Sequence, residues 1–415
     1  MKLWMKNRKK FLIQVLSPIA VMVFALILLL VSWRFSGFAT WYANNVYPLV
    51  VHTFGRFFNL FPFSVFELGL VMIPLSILLF LVCCIICVIS AFRPKRREKL
   101  ANNSSEAELI VSSKHGFPFF GLFDVTIKRT LKVAGFTLLY FLSFLFTFFV
   151  LNAGINYNRE SFAFHAGIEV RDSEIDELKA LYRILVYRAH ILSELVSTDS
   201  YGVFVPSNND FHSQAVIAMR NLNELHGGLV GFLPKPRAPV MSRLMSHMRI
   251  GGFFSPWTLE AHYNGEMPPH RKPFMMVHEL AHVSGHMRED EANFIAYLAS
   301  RNSSCVDFNY SAVYDGIIYV LNALHRVVSR ETYAELFGEL PMQIRRDMAA
   351  NRAFWQQFDG PVAEMANRAN DAYLRANRQE DGVMSYGRMV DLMLAYYRTN
   401  SMLKSFTFTT GFRNP

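Results

Sequence analysis

The stretch "HELAHVSGHMREDEANFIAYLAS", from His278 to Ser300, opens with the pentapeptide HExxH. On a helix, positions i and i+4 share a face, so His278 and His282 can bind one zinc ion while Glu279 acts as general base toward a water held there. Zinc lowers the pKa of such a water toward neutrality, which supplies a nucleophile at ordinary pH. The chemistry that follows is hydrolysis: the water attacks a scissile carbonyl, and Glu279 passes the proton on to the leaving amine. The local sequence supports a helix here. Pro273 suits a first turn, "FMMVHELAHVS" has helical periodicity, and Gly285 stands where a helix would be capped.

The helix is therefore expected to end about one turn after His282, and a third ligand must come from beyond that end. Arg288 occupies the place where the pattern HExxHxxGxxH would put a histidine, and it cannot ligate. His286, in the turn itself, would need a tight geometry. In "REDEANFIAYLAS" the apolar residues Ala292, Ile295, Ala296, Leu298 and Ala299 predict a helix beginning near Arg288, with Glu291 on the side of Ile295 and Leu298. A carboxylate facing a core is costly without a partner. Glu291 is thus the expected third ligand of an open His, His, Glu set, with water in the fourth place. Glu289 and Asp290 read as solvated first-turn residues that favour the helix dipole.

The elements that must carry this site follow from hydropathy. Phe11–Trp33, Leu68–Phe92 and Val133–Leu151 are long apolar runs without charge, and about 20 such residues cross a bilayer as helix. Three transmembrane helices are expected, at about 11–33, 68–92 and 133–151. The first is too long for a cleaved signal peptide and is read as an anchor. Five basic residues precede it and nine lie between the second and third runs, whereas the loop between the first two has only Arg34 and Arg56. The positive-inside rule then places the N-terminus and the loop 93–132 in the cytoplasm and everything after Leu151 outside.

Charge, counted by segment, removes a nucleic-acid reading. Residues 1–152 hold 16 Lys and Arg against 5 Asp and Glu, which leaves 26 against 28 for the remainder. The basic balance belongs to the anchor, where it serves topology and contact with the lipid bilayer. Three of the four cysteines fall in the second apolar run, so Cys305 has no internal disulfide partner outside it. Residues 153–415 read as one mainly helical domain, sufficient by itself to hold the metal. Helices are expected from about Ile175 to Val196 with Asp172 or Ser173 as N-cap, then at 211–225, 311–328, 341–358, 361–376 and 386–398. A small sheet is expected in "GGFFSPWTLEAHYN". Within it, "PWTLEAHYN" would be either an edge strand able to pair an extended peptide or a packed hairpin. "WYANNVYPLVVHTFGRFFNLFPFSVFELG" would lie in the interface plane or pack against the spans.

"FPFSVFELG", "GGFFSPWTLEAHYN", "HELAHVSGHMREDEANFIAYL", "FNYSAVYDGIIYVLNAL" and "DAYLRANRQEDGVMSYGRMVDLML" together resemble a bacterial domain-of-unknown-function family of membrane-anchored, zincin-like HExxH proteins, over nearly the whole chain. The resemblance implies an α+β zincin-like metallopeptidase domain outside the bacterial plasma membrane, with His278, Glu279, His282 and Glu291 at its site. The "EAN" after HExxH also resembles the glutamate-bearing helix of gluzincin-type peptidases. An oxyanion donor is needed as well, and Tyr310, Tyr386 and His262 are the candidates. The expected function is zinc-dependent hydrolysis of extracytoplasmic peptides or proteins. The alternative is a catalytically silent zincin-like module that binds or senses at the cell envelope. Zn2+ is the only cofactor expected. HExxH lies between the charged stretches "PPHRKP" and "GHMREDE", which sets aside an intramembrane protease.

Overall fold

A computed structural model describes residues 2–101, 118–207, 210–229 and 231–399, with side chains at all of these except 2–11, 83–84, 86–101, 118–131 and 386. Of the loop expected in the cytoplasm, 93–132, residues 102–117 fall outside the described residues. The chain divides into two compact units.

One unit comprises Met1–Leu26 and Phe66–Thr147. It carries most of three helices long and apolar enough to cross a membrane, Leu12–Arg34, Val65–Val82 and Lys132–Asn158. These are the three apolar runs of the sequence, but their helices extend further. The second continues to Ala101 and the third begins at Pro118, so the expected loop 93–132 is helical at both ends. Pro18 lies inside the first helix. Its carbonyl accepts from Ser143 Oγ of the third at 2.9 Å, and Ser17 Oγ bonds Tyr140 Oη at 2.7 Å. The hydroxyls of Ser17, Tyr140 and Ser143 are thereby satisfied within the apolar segments, where an unpaired polar group costs several kcal/mol.

The second unit comprises Ile27–Val65 and Phe148–Pro415. The loop between the first two apolar runs is thus part of the domain that carries HExxH. It packs there as a succession of short helices from Ser36 to Asn59, with Ala39, Tyr42, Tyr47 and Val51 buried. Around them the fold is mainly helical, with a single two-stranded sheet among the described residues. The expected helix over 175–196 spans Ile175–Leu195. Its N-cap is Glu174, whose capping box with Glu177 wins over Asp172 and Ser173. The later helices are Phe211–His226, Val306–Leu324, Met342–Gln356, Pro361–Ala376 and Met389–Thr399, with Arg330–Gly338 added and a 3-10 turn over Gly382–Arg388.

At the centre lies the HExxH helix, Lys272–Val283, started by Pro269 and Pro273 in successive first turns. Val277, Leu280, Ala281 and Val283 are fully buried on it, each large aliphatic side chain contributing about 1.5–3 kcal/mol of transfer free energy. It packs against the acidic helix Glu289–Arg301, the Phe211–His226 and Val306–Leu324 helices and the hairpin. That hairpin pairs β1 (Gly252–Ser255) with β2 (Glu260–Tyr263) antiparallel, Phe253 facing His262. Arg237 pairs with His262 from the far side, which makes β2 the inner strand and leaves β1 at the edge.

Candidate metal and hydrolytic site

The HExxH helix places His278, Glu279 and His282 on adjoining positions, all buried. It ends in a Schellman turn: His286 N donates to Ala281 O at 3.1 Å and Gly285 N to His282 O at 2.9 Å. Gly285 has φ +83, a left-handed conformation in which a side chain would be strained. The turn also serves the site. His282 Nδ1 donates to the His286 carbonyl at 2.8 Å, which leaves Nε2 as the lone-pair nitrogen facing inward.

The third group is Glu289. Its Oε2 lies 3.2 Å from His278 Nε2 and 3.7 Å from His282 Nε2, and the two Nε2 atoms are 3.1 Å apart. Among the described residues these three form the one group arranged to hold a metal ion. Glu289 Oε2 is buried and faces the two histidine nitrogens.

Glu291 is somewhere else, which corrects the expectation from periodicity. Its carboxylate accepts from the Phe162 N–H at 3.0 Å, pairs with Arg288, and stands 3.6 Å from His286 Nδ1. The amphipathic argument failed because the acidic helix is covered on nearly all sides, Glu291 to Arg301 being buried without a break. Burial there does not distinguish one face. Glu289 is the first residue of that helix and lies four positions after the turn glycine, a proximity the sequence does display. His286 is also resolved: its main chain orients His282, and its ring is buried among Glu291, the Gly228 carbonyl and Phe162.

The electrostatics suit a cation. Burial alone would raise the Glu289 carboxyl, but the two histidines hold it well below the usual carboxylate range. Burial works against the charged form of His282, yet Glu289 and then Glu279 raise it to about 9. His278 is lowered, first by burial and then by His282. A metal ion would take the place of the proton that this field otherwise holds. Glu279 is raised to about 8 by burial, with the His282 charge opposing and Glu289 adding to the rise. Its Oε2 has no hydrogen-bond partner.

His278 and Glu279 open into a cleft of about 940 Å³. One wall is the turn of Met248, Arg249, Ile250 and Gly251, which follows the Ser242–His247 helix, together with β1; the other is the face of the Pro361–Ala376 helix that carries Ala363, Asn367, Asn370 and Tyr373. β1 passes so close to Glu279 that a Cβ on Gly252 would strike its carboxylate, and would lie 2.8 Å from the His262 carbonyl. Asn293, one turn after Glu289, lies beside His278 and Tyr319.

A family model described as a protein of unknown function (DUF3810) matches residues 117–394, more than half of the chain. The chain belongs to that family. No curated protein and no solved structure matches it. The match covers the whole HExxH region and the third apolar helix, and leaves out Ile27–Val65.

The proposed oxyanion donors do not gather here. His262 is fully buried, bonded to Ser64 Oγ at 2.8 Å and stacked on Phe253 at 4.4 Å; burial, and then Arg237, lower its pKa to about 3. Tyr310 bonds Asp347 and stacks on Phe204. Tyr386 belongs to the Gly382–Arg388 turn, and its side chain lies outside those described. The phenols that line the cleft are Tyr319 and Tyr373. Glu289 is among the groups that raise the pKa of each, after burial. Nothing in the local sequence marks them; only the packing of their helices around the cleft does.

Proposed function

We propose that the protein is a membrane-anchored zinc metallopeptidase that cleaves peptide bonds of extracytoplasmic peptides or proteins. The observation that carries this reading is the convergence of His278, His282 and Glu289 beside Glu279 at the floor of an open cleft. Zinc fits the donor set and its spacing. With Zn–N of about 2.0–2.1 Å, a tetrahedral site has ligand atoms roughly 3.3–3.4 Å apart, against 3.1, 3.2 and 3.7 Å here.

Bound there, zinc would act as a Lewis acid and lower the pKa of a water in the open fourth position. Glu279, on the cleft side of the ligands, is placed to take the proton from the attacking water and return it to the leaving amine. β1 is placed to align the substrate. Asn264 N donates to Gly251 O at 2.7 Å, so antiparallel alternation turns the main-chain groups of Gly252 and Phe254 away from β2. An extended peptide can add to that edge and lie along the cleft. The strand named by the sequence, "PWTLEAHYN", supplies instead the turn and the inner strand. Tyr319 and Tyr373 are the phenols within the cleft for the developing oxyanion.

The three apolar helices support membrane attachment, and the distribution of basic residues supports an outward-facing domain at the bacterial plasma membrane. A silent binding module would need ligands, but no buried carboxylate beside them with a bare oxygen. The test is cleavage of a quenched peptide library by the zinc-loaded full chain in detergent and by Glu279→Gln. Loss of a general base is expected to cut the rate about 10²–10⁴-fold with metal content unchanged. Equal rates in the two proteins would end the peptidase reading.

A further inference from the structure

The end of the HExxH helix is held from outside by two residues that the peptidase reading leaves unused. Tyr47 is fully buried, and its hydroxyl donates to the Val283 carbonyl at 3.0 Å. Its ring packs where a side chain on Gly285 would be, 3.2 Å from the Cβ position. Arg159 is also buried; one arm of its guanidinium reaches the Ser284 carbonyl at 3.4 Å and the other Asn44 Oδ1 at 3.4 Å. Val283 and Ser284 are among the last carbonyls of the helix, which have no partner within it. A cation at that end also meets the negative pole of the helix dipole.

These contacts bear on the metal through one turn. Val283, Ser284 and Gly285 lead directly to His286, whose carbonyl fixes the ring of His282. Glu291 closes the arrangement from the other side by accepting from Phe162 N, three residues after Arg159. The positions in the chain are informative. Arg159 follows the third apolar helix, Lys132–Asn158, by a single residue. Tyr47 lies in the loop that follows the first.

We infer that Tyr47 and Arg159 are positioning residues of the metal site: the chain segments emerging from the first and third apolar helices clamp the turn that orients His282. This rests on the metal-site reading above and adds to it a direct mechanical link between the membrane-proximal segments and a ligand. Partners that orient a ligating histidine typically contribute 10- to 100-fold in metal affinity.

The test uses the full chain in detergent with Co2+ as the probe, whose visible absorption reports ligand geometry. Tyr182→Phe is the control, since it too removes a buried tyrosine hydroxyl from a main-chain carbonyl, that of Leu336, away from the ligands. Tyr47→Phe is expected to weaken Co2+ binding about ten-fold or more and to shift the absorption bands. Tyr182→Phe is expected to lower the melting temperature of the metal-free protein comparably and to leave the Co2+ spectrum and affinity as in wild type. Arg159→Lys should retain more affinity than Arg159→Met. If Tyr47→Phe binds Co2+ with wild-type affinity and spectrum, or if both tyrosine variants lose affinity alike, the positioning role is overturned. A wild-type chain that fails to bind Co2+ at all would instead remove the metal site itself, and with it this role.

Discussion

Glu289 and Glu291 stand two residues apart and serve opposite ends of the same turn. Glu289 meets His278 and His282; Glu291 neutralises Arg288 and caps Phe162. Metal analysis of purified variants should separate them. Glu289→Gln is expected to come through dialysis nearly metal-free. Glu291→Gln should keep its metal but lose stability in chemical denaturation, by no more than the roughly 3–5 kcal/mol of a broken buried pair, because buried Arg159 loses a neighbouring negative charge while half-buried Arg288 keeps Asp290; metal loss in Glu291→Gln at unchanged stability would reverse the assignment. Acidity offers a second measurement on these residues. His282 is raised to about 9 in the metal-free protein, and a protonated imidazole cannot ligate. Below that pH each metal bound must displace its proton, so apparent affinity should fall as pH is lowered from about 9. His278, lowered by burial, should add a second displaced proton only at more acidic pH. Affinity independent of pH between 6 and 9 would contradict this. At the residue scale the HExxH ligands were legible because helical spacing alone joins them. The third was not, because a helix buried all round carries no amphipathic signal.

Among the elements, the hairpin decides how a substrate could lie. "GGFFSPWTLEAHYN" predicts a small sheet, and the structure places both strands of a hairpin inside that stretch. Which strand is the edge depended on Arg237, 25 positions before His262 in sequence, and no local pattern carries that. Gly252 is the element's narrowest point. A methyl group there meets the Glu279 carboxylate, which can swing, and the His262 carbonyl, which belongs to the paired strand and cannot. Gly252→Ala should therefore push β1 away from the HExxH helix while leaving the ligands in place. The expected result is full metal content with kcat lowered about 10²-fold, the scale on which roughly 1 Å of misplacement acts. Wild-type turnover in Gly252→Ala would mean that β1 does not align the substrate. Tyr319 and Tyr373 approach the same cleft from separate helices, Val306–Leu324 and Pro361–Ala376. Phenylalanine at whichever of them donates to the oxyanion should cost about 10²–10³ in kcat.

For the whole molecule, hydropathy found the three apolar helices but not where the HExxH-bearing unit begins. It reads neighbours along the chain, whereas the loop after the first apolar helix finds its partners some two hundred residues later. Tyr47 bonds Val283, Ser64 bonds His262, and the Asn59 and Phe63 carbonyls accept from Arg237. A chain beginning at residue 153 keeps every ligand and lacks all of these. Emptying the site of one buried large aromatic costs about 3–5 kcal/mol, and a domain has only about 5–15 kcal/mol in total. Residues 153–415 alone should therefore show weak near-UV circular dichroism, no sharp thermal transition and little retained metal. A synthetic peptide spanning 36–65, added in trans, should restore part of each, since it returns Tyr47 and Ser64 to the sites they fill. If the truncated chain instead binds metal and unfolds as sharply as the full chain does, the loop is a passive covering, and the metal site depends on nothing before Ala153.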